Sequence, residues 1–574
     1  MTHQRFKHEG WLYALAFLLA LGLRLINLDA IPLTDAEALP ALQALHIAQG
    51  LKPALSPHPF YILSTAIVFF LYGGGTDFLA RLVPAVVGSL LVFAPLQLEK
   101  IKPRPSLILA FFIAVDPGLV TLSRQAASPI FAVTFLLFAW GFFSRNKPRL
   151  AGVFAALALL GGPSIWAGLL GLGVTWTLYQ AFGPRQRSQE VSDEESAEAV
   201  TPSAPFNFQT SAIALAVTLL GAGTLCFVAP NGLSAALASI PAYIMNWVTA
   251  SGVPVYRLPL SFLIYQPLAL LLALIAAFRG WRKAGPRIIS ISLWMMVSLL
   301  IAIFTPAHQI SDLVWTLIPL SALAALELVR NIDIFPEERV EIAGVVLLTA
   351  FIWAFSWLDF AKINWVLADT QEYSMRLWLL LGALLLLVFS ILLVASGWSI
   401  RTARIGGILG VTVALGIFGL GGTLGSSGLR GLNFPELWWP ANIPAQSELL
   451  RTTVNDLSEW NLGNDHAAPI IIAGVSSPAL EWVLREHPVT VVAALDISSS
   501  PDFVITPLED NPELASFYRG QDFTWRSSPL WNNAVTVQSW VRWITLREMP
   551  QSGESIILWA RDDLFFDSAS ITNP

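Results

Sequence analysis

The sequence predicts an all-α polytopic membrane domain over residues 1–424, followed by a small water-facing α/β domain over residues 425–574. Three observations predict it. Of the 574 residues, 55% are hydrophobic and only 13% charged, about half of the roughly 25% charge that a domain surrounded by water carries. Apolar runs of membrane-crossing length recur from the N-terminus and stop near Leu420. The short segments between those runs alternate between basic and acid-bearing.

A span needs roughly 20 apolar residues, with about 17 as the lower limit. About thirteen runs qualify or come close: Trp11–Leu28, Leu82–Leu98, Ser106–Leu122, Pro129–Phe143, Leu150–Gly161, Ile165–Phe182, Ala212–Ala229, Leu260–Phe278, Ile288–Phe304, Leu313–Val329, Ile342–Leu358, Leu377–Ala395 and Ile405–Leu420. The first run follows Arg5 and Lys7 and is not succeeded by a small-residue cleavage site, so it reads as an uncleaved span. Phe60–Leu71 is too short to cross and is expected to lie at the interface. The segments 100–104, 145–149, 185–187, 279–287, 330–339 and 401–404 are all basic, whereas the intervening ones hold Asp35, Glu37, Asp359 and Asp369. The positive-inside rule then expects a cytoplasmic N-terminus in a plasma or inner membrane, with the C-terminal domain exported.

Two segments read as non-membrane. Residues 183–209 contain the acidic, Ser-rich run QEVSDEESAEAV, which cannot bury a core and is expected to be a disordered cytoplasmic loop. Beyond residue 425, β-rich runs (Ile470–Ala473, Val489–Ala493, Phe503–Ile505, Ile556–Trp559) alternate with helical stretches, one of them signalled by Ser477 as cap and Pro478 at the first position. Such alternation predicts an α/β layer. Trp438 and Trp439 are expected at headgroup level, where indole is both apolar and a donor. The formal net charge of −6 carries no basic footprint for nucleic acid, and the lone Cys226 excludes an intrachain disulfide and thiolate zinc sites.

Chemistry concentrates after the first span. Asp35 and Glu37 sit at membrane-surface depth, where a carboxylate can deprotonate an acceptor or hold a metal beside a lipid phosphate. Two solvated loop carboxylates would read the same. Arg81 and Arg124 fall at the same surface, either to grip a phosphate with the planar guanidinium fork or to snorkel from span ends. His58 reads as a metal ligand or as a hydrogen-bonded turn residue. Asp116 lies in the outer half of the third run, facing a cavity or hydrated beside Pro117. The loop Asn231–Leu258, with Arg257, is placed to cover the site.

These residues carry a resemblance. Leu23-Arg24, Pro32-Leu33, Glu37-Ala38, His58-Pro59-Phe60-Tyr61, Ala80-Arg81-Leu82-Val83-Pro84 and Ser123-Arg124 look like the motif series of GT-C glycosyltransferases of the protein O-mannosyltransferase and aminoarabinose-transferase type, family 39-like. The motifs cover about the first 180 residues, and HQISDLVWTLIPLSAL is similar to a family span near the active face. The chain departs from the pattern in two places. The adjacent Asp-Glu pair appears as Asp35-Ala36-Glu37, and Ser128-Pro129 stand where an acid follows the Ser-Arg motif. The resemblance implies a GT-C-like membrane domain. It also implies an inverting transfer of a sugar from a polyprenyl-phosphate donor to an acceptor outside the cell. Asp35 and Glu37 would be the catalytic carboxylates, Arg124, Arg81 and Arg257 would hold the donor phosphate with or without a divalent metal ion, and His58 and Asp116 would line the site. The altered acidic motifs equally suit a catalytically inactive relative that acts as a scaffold in envelope assembly. A transporter fits less well, because no inverted repeat is visible.

Overall fold

A backbone leaving water must satisfy its own polar groups, and each apolar run does so as a helix. The structure, a computed structural model, describes residues 9–97, 103–183, 206–332, 335–366, 370–431, 434–440, 442–496, 498–508, 514–531 and 536–565. In order, the membrane domain comprises α1 (Glu9–Leu25), α2 (Asp35–Ala48), α3 (Pro59–Tyr72), α4 (Asp77–Leu90), the one-turn α5 (Ala94–Gln97), α6 (Pro103–Val115), α7 (Pro117–Ser123), α8 (Ile130–Ser144), α9 (Pro148–Leu159), α10 (Ser164–Phe182), α11 (Phe208–Gly223), α12 (Asn231–Met245), α13 (Arg257–Tyr265), α14 (Pro267–Arg282), α15 (Pro286–Phe304), α16 (Val314–Val329), α17 (Arg339–Lys362), α18 (Gln371–Gly397) and α19 (Ile400–Ser426). Among the described residues each of the expected apolar runs is helical over most of its length, with turns at 26–28 and 224–228. The acidic segment lies outside the described residues from 184 to 205, and Phe208 and Gln209 already belong to α11.

The helices are less regular than an array of straight spans. Among the described residues six stretches are long and apolar enough to cross a membrane unbroken, and three more qualify only as bent pairs: α6 with α7 at 59°, α9 with α10 at 119° and α13 with α14 at 94°. The expected span Leu260–Phe278 is therefore two helices set at a right angle, broken at Gln266 ahead of Pro267. A proline has no N–H to donate and disfavours helix in the residue before it.

The α6–α7 break shows how such an interruption is tolerated inside a bundle. Pro117 opens α7, and Asp116 caps it by accepting from the Leu119 N–H at 2.8 Å. Carbonyls at and beside the break find donors on neighbouring helices. Arg24 of α1 donates to Ala114 and Ile113 (3.1 and 3.2 Å), Thr423 of α19 donates to Val115 (2.5 Å), and Ser426 donates to Pro117 (3.3 Å). Arg24, 0% exposed, is thus the C-terminal cap of α6.

The C-terminal domain holds β1 (Ile443–Pro444), α20 (Ser447–Leu462), β2 (Ile470–Ala473), α21 (Pro478–Val483), β3 (Val489–Val492), β4 (Phe503–Pro507), β5 (Tyr518–Pro529), α22 (Val537–Leu546) and β6 (Gln551–Arg561). Its six strands form one sheet in the order β1-β5-β6-β4-β2-β3. The parallel part is β4-β2-β3, with Ile470 opposite Phe503 and Val489; β6, β5 and β1 are added antiparallel. Ser477 caps α21 as its position before Pro478 predicts, accepting from the Leu480 N–H. Trp438 and Trp439 are buried in the junction between bundle and sheet domain, not facing lipid: Trp438 packs on Gly118, and Trp439 donates to the Ser426 carbonyl at 3.3 Å.

Candidate functional site

The first loop enters α2 through Thr34-Asp35-Ala36-Glu37, a Thr-x-x-Glu capping sequence. Glu37 reaches back, so that its Oε2 accepts from the Thr34 N–H at 3.2 Å and the Thr34 hydroxyl at 3.1 Å. Arg81 of α4 meets the same carboxylate as a fork, Nε to Oε1 at 2.9 Å and Nη2 to Oε2 at 2.8 Å, and the Ala126 N–H reaches Oε1 at 3.0 Å. The rest of the Arg81 guanidinium is bound to the carbonyls of Leu28, Ile31 and Pro32. Both side chains are 4% exposed. A bidentate pair with its remaining donors and acceptors satisfied holds a loop shape; it has no free lone pair with which to take a proton.

Arg124 and Asp35 are also committed. Arg124, at the end of α7, donates to the carbonyls of Leu23, Arg24, Ile26 and Asn27 and so closes the C-terminal end of α1. Its charge lies where the helix dipole favours a cation. Asp35 turns away from Glu37 toward the sheet domain. Its Oδ1 accepts from the Ser477 hydroxyl at 2.5 Å and the Ala479 N–H at 3.1 Å, at the start of α21; its Oδ2 meets Arg526 Nε at 2.9 Å and Nη2 at 2.7 Å. Arg257 joins α13 to the segment before the sheet domain, donating to Leu437 at 2.8 Å and Trp439 at 3.2 Å and lying over the Trp531 ring. Glu37, Arg81 and Arg124 do share a cavity, but one of about 20 Å³, which is room for about one water. Asp35 is not among its lining residues, and Asp116 is spent on the α7 cap.

A cavity of about 370 Å³ lies behind this cluster, and His58 is in its wall. Gly161-Gly162-Pro163 forms the tight corner between α9 and α10. At Gly162 (φ +105°) a Cβ would stand 2.7 Å from His58 Cδ2, so only glycine lets the corner approach the ring. Burial pushes its imidazole down to about 4, keeping it neutral at neutral pH. Tyr243 and Asn246 of the segment Asn231–Leu258 also line this cavity, with Gln309 and Asp312 ahead of α16. Asp312 Oδ2 accepts from the Gln309 N–H at 2.8 Å. No other hydrogen bond engages its carboxylate among the described residues, in contrast to Asp35 and Glu37. The Tyr243 hydroxyl is buried, with the Trp247 indole as its one close polar neighbour and no partner at full hydrogen-bond geometry among the described residues. Enclosure holds its phenol above the usual range, and the nearby Asp312 carboxylate adds to the shift. Sequence reading passed over Asp312 although it stands inside HQISDLVW; the signal was an acid capping the turn into a span.

A wider cleft of about 650 Å³ separates α4 from the sheet domain, with Asp29, Asp77, Glu448 and Glu486 facing Arg451 and Arg485. Among the described residues no three of His, Cys, Asp and Glu converge to hold a metal ion.

Fold and site together define a multi-pass helical membrane protein whose sheet domain is clamped over one end of the bundle. No protein-family model matches the chain, and no curated protein does. Among solved structures it is similar to ArnT from Cupriavidus metallidurans bound to undecaprenyl phosphate (15% identity, 85% of this chain and 86% of that one, TM-score 0.49) and to the same protein in the apo state (14%, 85% and 86%, TM-score 0.48). It is also similar to the Archaeoglobus fulgidus oligosaccharyltransferase in complex with Zn and sulfate (12%, 83% of this chain and 61% of that one, TM-score 0.31).

Proposed function

We propose that the chain is a membrane glycosyltransferase that moves a sugar from a polyprenyl-phosphate donor to an acceptor on the external face, with its chemistry in the His58–Asp312 cavity. The observation that carries this is the division of labour among the carboxylates. The first-loop acids that the motif resemblance nominates are fully engaged, while Asp312 keeps an unbonded oxygen in a cavity of about 370 Å³. In the transfer, an acceptor hydroxyl attacks the anomeric carbon and passes its proton to the Asp312 carboxylate. The anomeric C–O bond to phosphate breaks from the opposite face, and polyprenyl phosphate leaves with the bonding pair. Tyr243 and Asn246 are placed to hydrogen-bond the departing phosphate. In an enclosed site such donors count for more than in water.

The test is release of undecaprenyl phosphate from undecaprenyl-phosphate-linked hexoses and pentoses by the purified protein in lipid nanodiscs, with an envelope extract of lipids, glycans and proteins added to supply the acceptor hydroxyl. Wild type and Asp35→Asn are expected to release it, and Asp312→Asn is expected to lose at least about a hundredfold, within the range of general-base effects. Activity retained by Asp312→Asn and lost by Asp35→Asn would return the base to the first loop. No release by any form favours a second reading, the non-catalytic scaffold, which the saturation of Asp35 and Glu37 already supports.

A further inference from the structure

A fourth cavity, about 490 Å³, lies between the ends of α17 and α19 and the end of α22. One wall is apolar and belongs to the membrane helices: Trp357 of α17 with Ile417 and Phe418 of α19. Ile417 is 67% exposed, and Leu358 and Leu420 beside it are exposed too, so this wall continues into the lipid-facing surface. The other wall carries Arg430 and Arg547.

The charges there do not balance. Glu436 is the shared partner: Arg430 Nη1 donates to its Oε1 at 3.1 Å, Arg547 Nε lies 3.7 Å from its Oε2, and the Tyr265 hydroxyl donates to it. Two guanidiniums therefore face one carboxylate. Burial pushes the Glu436 carboxyl up, against the lowering effect of Arg547, Tyr265 and Arg430. Arg547 is 6% exposed; its guanidinium lies over the rings of Trp543 at 4.4 Å and Tyr265 at 5.3 Å, but its Nη1 has no hydrogen-bond acceptor. A buried cation short of acceptors is costly. Arg547 also ends α22 at φ +60°, a left-handed position that favours glycine or asparagine. Its side chain, not its backbone preference, accounts for an arginine at that point.

We propose that this cavity binds the phosphate headgroup of an anionic membrane lipid, with Arg430 and Arg547 on the phosphate and the acyl chains along Trp357, Ile417 and Phe418. The phosphate supplies the missing acceptors and the missing negative charge. The apolar wall at the ends of two long membrane helices sets the ligand at the depth of a lipid, which a free anion does not need. The site is separate from the His58–Asp312 cavity and does not depend on what that cavity does.

The experiment is native mass spectrometry of the purified full-length protein in neutral detergent, titrated with phosphatidylglycerol, phosphatidylcholine, undecaprenyl phosphate or inorganic phosphate. Phosphatidylglycerol is expected to bind about tenfold or more tightly than zwitterionic phosphatidylcholine, as charge-assisted contacts to a phosphate would give. Undecaprenyl phosphate is expected to compete with it and inorganic phosphate is not. Arg547→Gly, which suits the left-handed position, should reduce phosphatidylglycerol binding about tenfold. Gly421→Leu tests the same site with both guanidiniums intact. A Cβ there meets only Arg430 Nη2, at 3.6 Å, so the side chain fills the cavity rather than the core; its binding should also fall. Equal binding of the two phospholipids, unchanged binding in Gly421→Leu, or displacement by inorganic phosphate would each overturn the proposal.

Discussion

Removing the Glu37 carboxylate leaves Arg81 ionised and cut off from bulk water. Breaking a buried pair from one side costs about 3–5 kcal/mol, so Glu37→Ala should lower the thermal midpoint of the detergent-purified protein sharply. Glu37→Ala with Arg81→Met should recover part of the loss, because no charge is then stranded. Asp312→Asn is expected to leave the midpoint nearly unchanged, since the amide oxygen can still accept from Gln309. Stability measured beside donor turnover therefore separates the two kinds of carboxylate: one closes a loop and the other stands in a cavity.

At the scale of elements, the bundle depends on contacts at which nothing larger than glycine or serine fits. Where α4 meets α7, a Cβ on Gly88 would stand 2.1 Å from Ser123 Oγ and 2.6 Å from its Cβ. Gly88→Ala must push these helices apart, at about 1–3 kcal/mol for overpacking. The measurement is the unfolding midpoint and the monodisperse yield, and Ser123→Gly in the same chain should restore both. The α6–α7 break behaves differently, because the carbonyls at and beside it are shared among Arg24, Thr423 and Ser426. Thr423→Val keeps the shape but strands the Val115 carbonyl, which predicts a loss of about 1–3 kcal/mol by the same assay.

The whole molecule is held closed by side chains that reach from the bundle to the sheet domain. Asp35 binds Ser477, Ala479 and Arg526; Asp77 accepts from Trp482 at 2.7 Å; Arg485 donates to Gly75 at 3.0 Å. Arg526→Ala removes one of these and should expose the junction, seen as faster cleavage after α19 in limited proteolysis with little change in the unfolding midpoint. The alternation of basic and acid-bearing segments predicts that the sheet domain is exported. Reporter fusions after Leu420 should accordingly be active only with a reporter that requires export. Activity of a cytoplasmic-type reporter there would reverse the orientation.

The sequence by itself determined the elements. Continuous apolar runs must become helices in a solvent that offers no hydrogen bonds, and the β-rich runs after residue 425 became strands at Ile470–Ala473, Val489–Val492 and Phe503–Pro507. It also brought Glu37, Arg81 and Arg124 to one place, because the motifs that hold them lie at neighbouring helix ends. Only the tertiary structure decided what those residues do. Whether a carboxylate is a base or a clamp depends on how many donors surround it. The donors on Asp35 come from Ser477, Ala479 and Arg526, more than 440 residues further along the chain. Asp312, a single acid at the turn into a span, showed nothing in sequence of the cavity that His58, Tyr243 and the Gly162 corner close around it. Local pattern fixes where a chain turns helical or extended, but the number of partners a buried charge finds is settled only when distant segments pack.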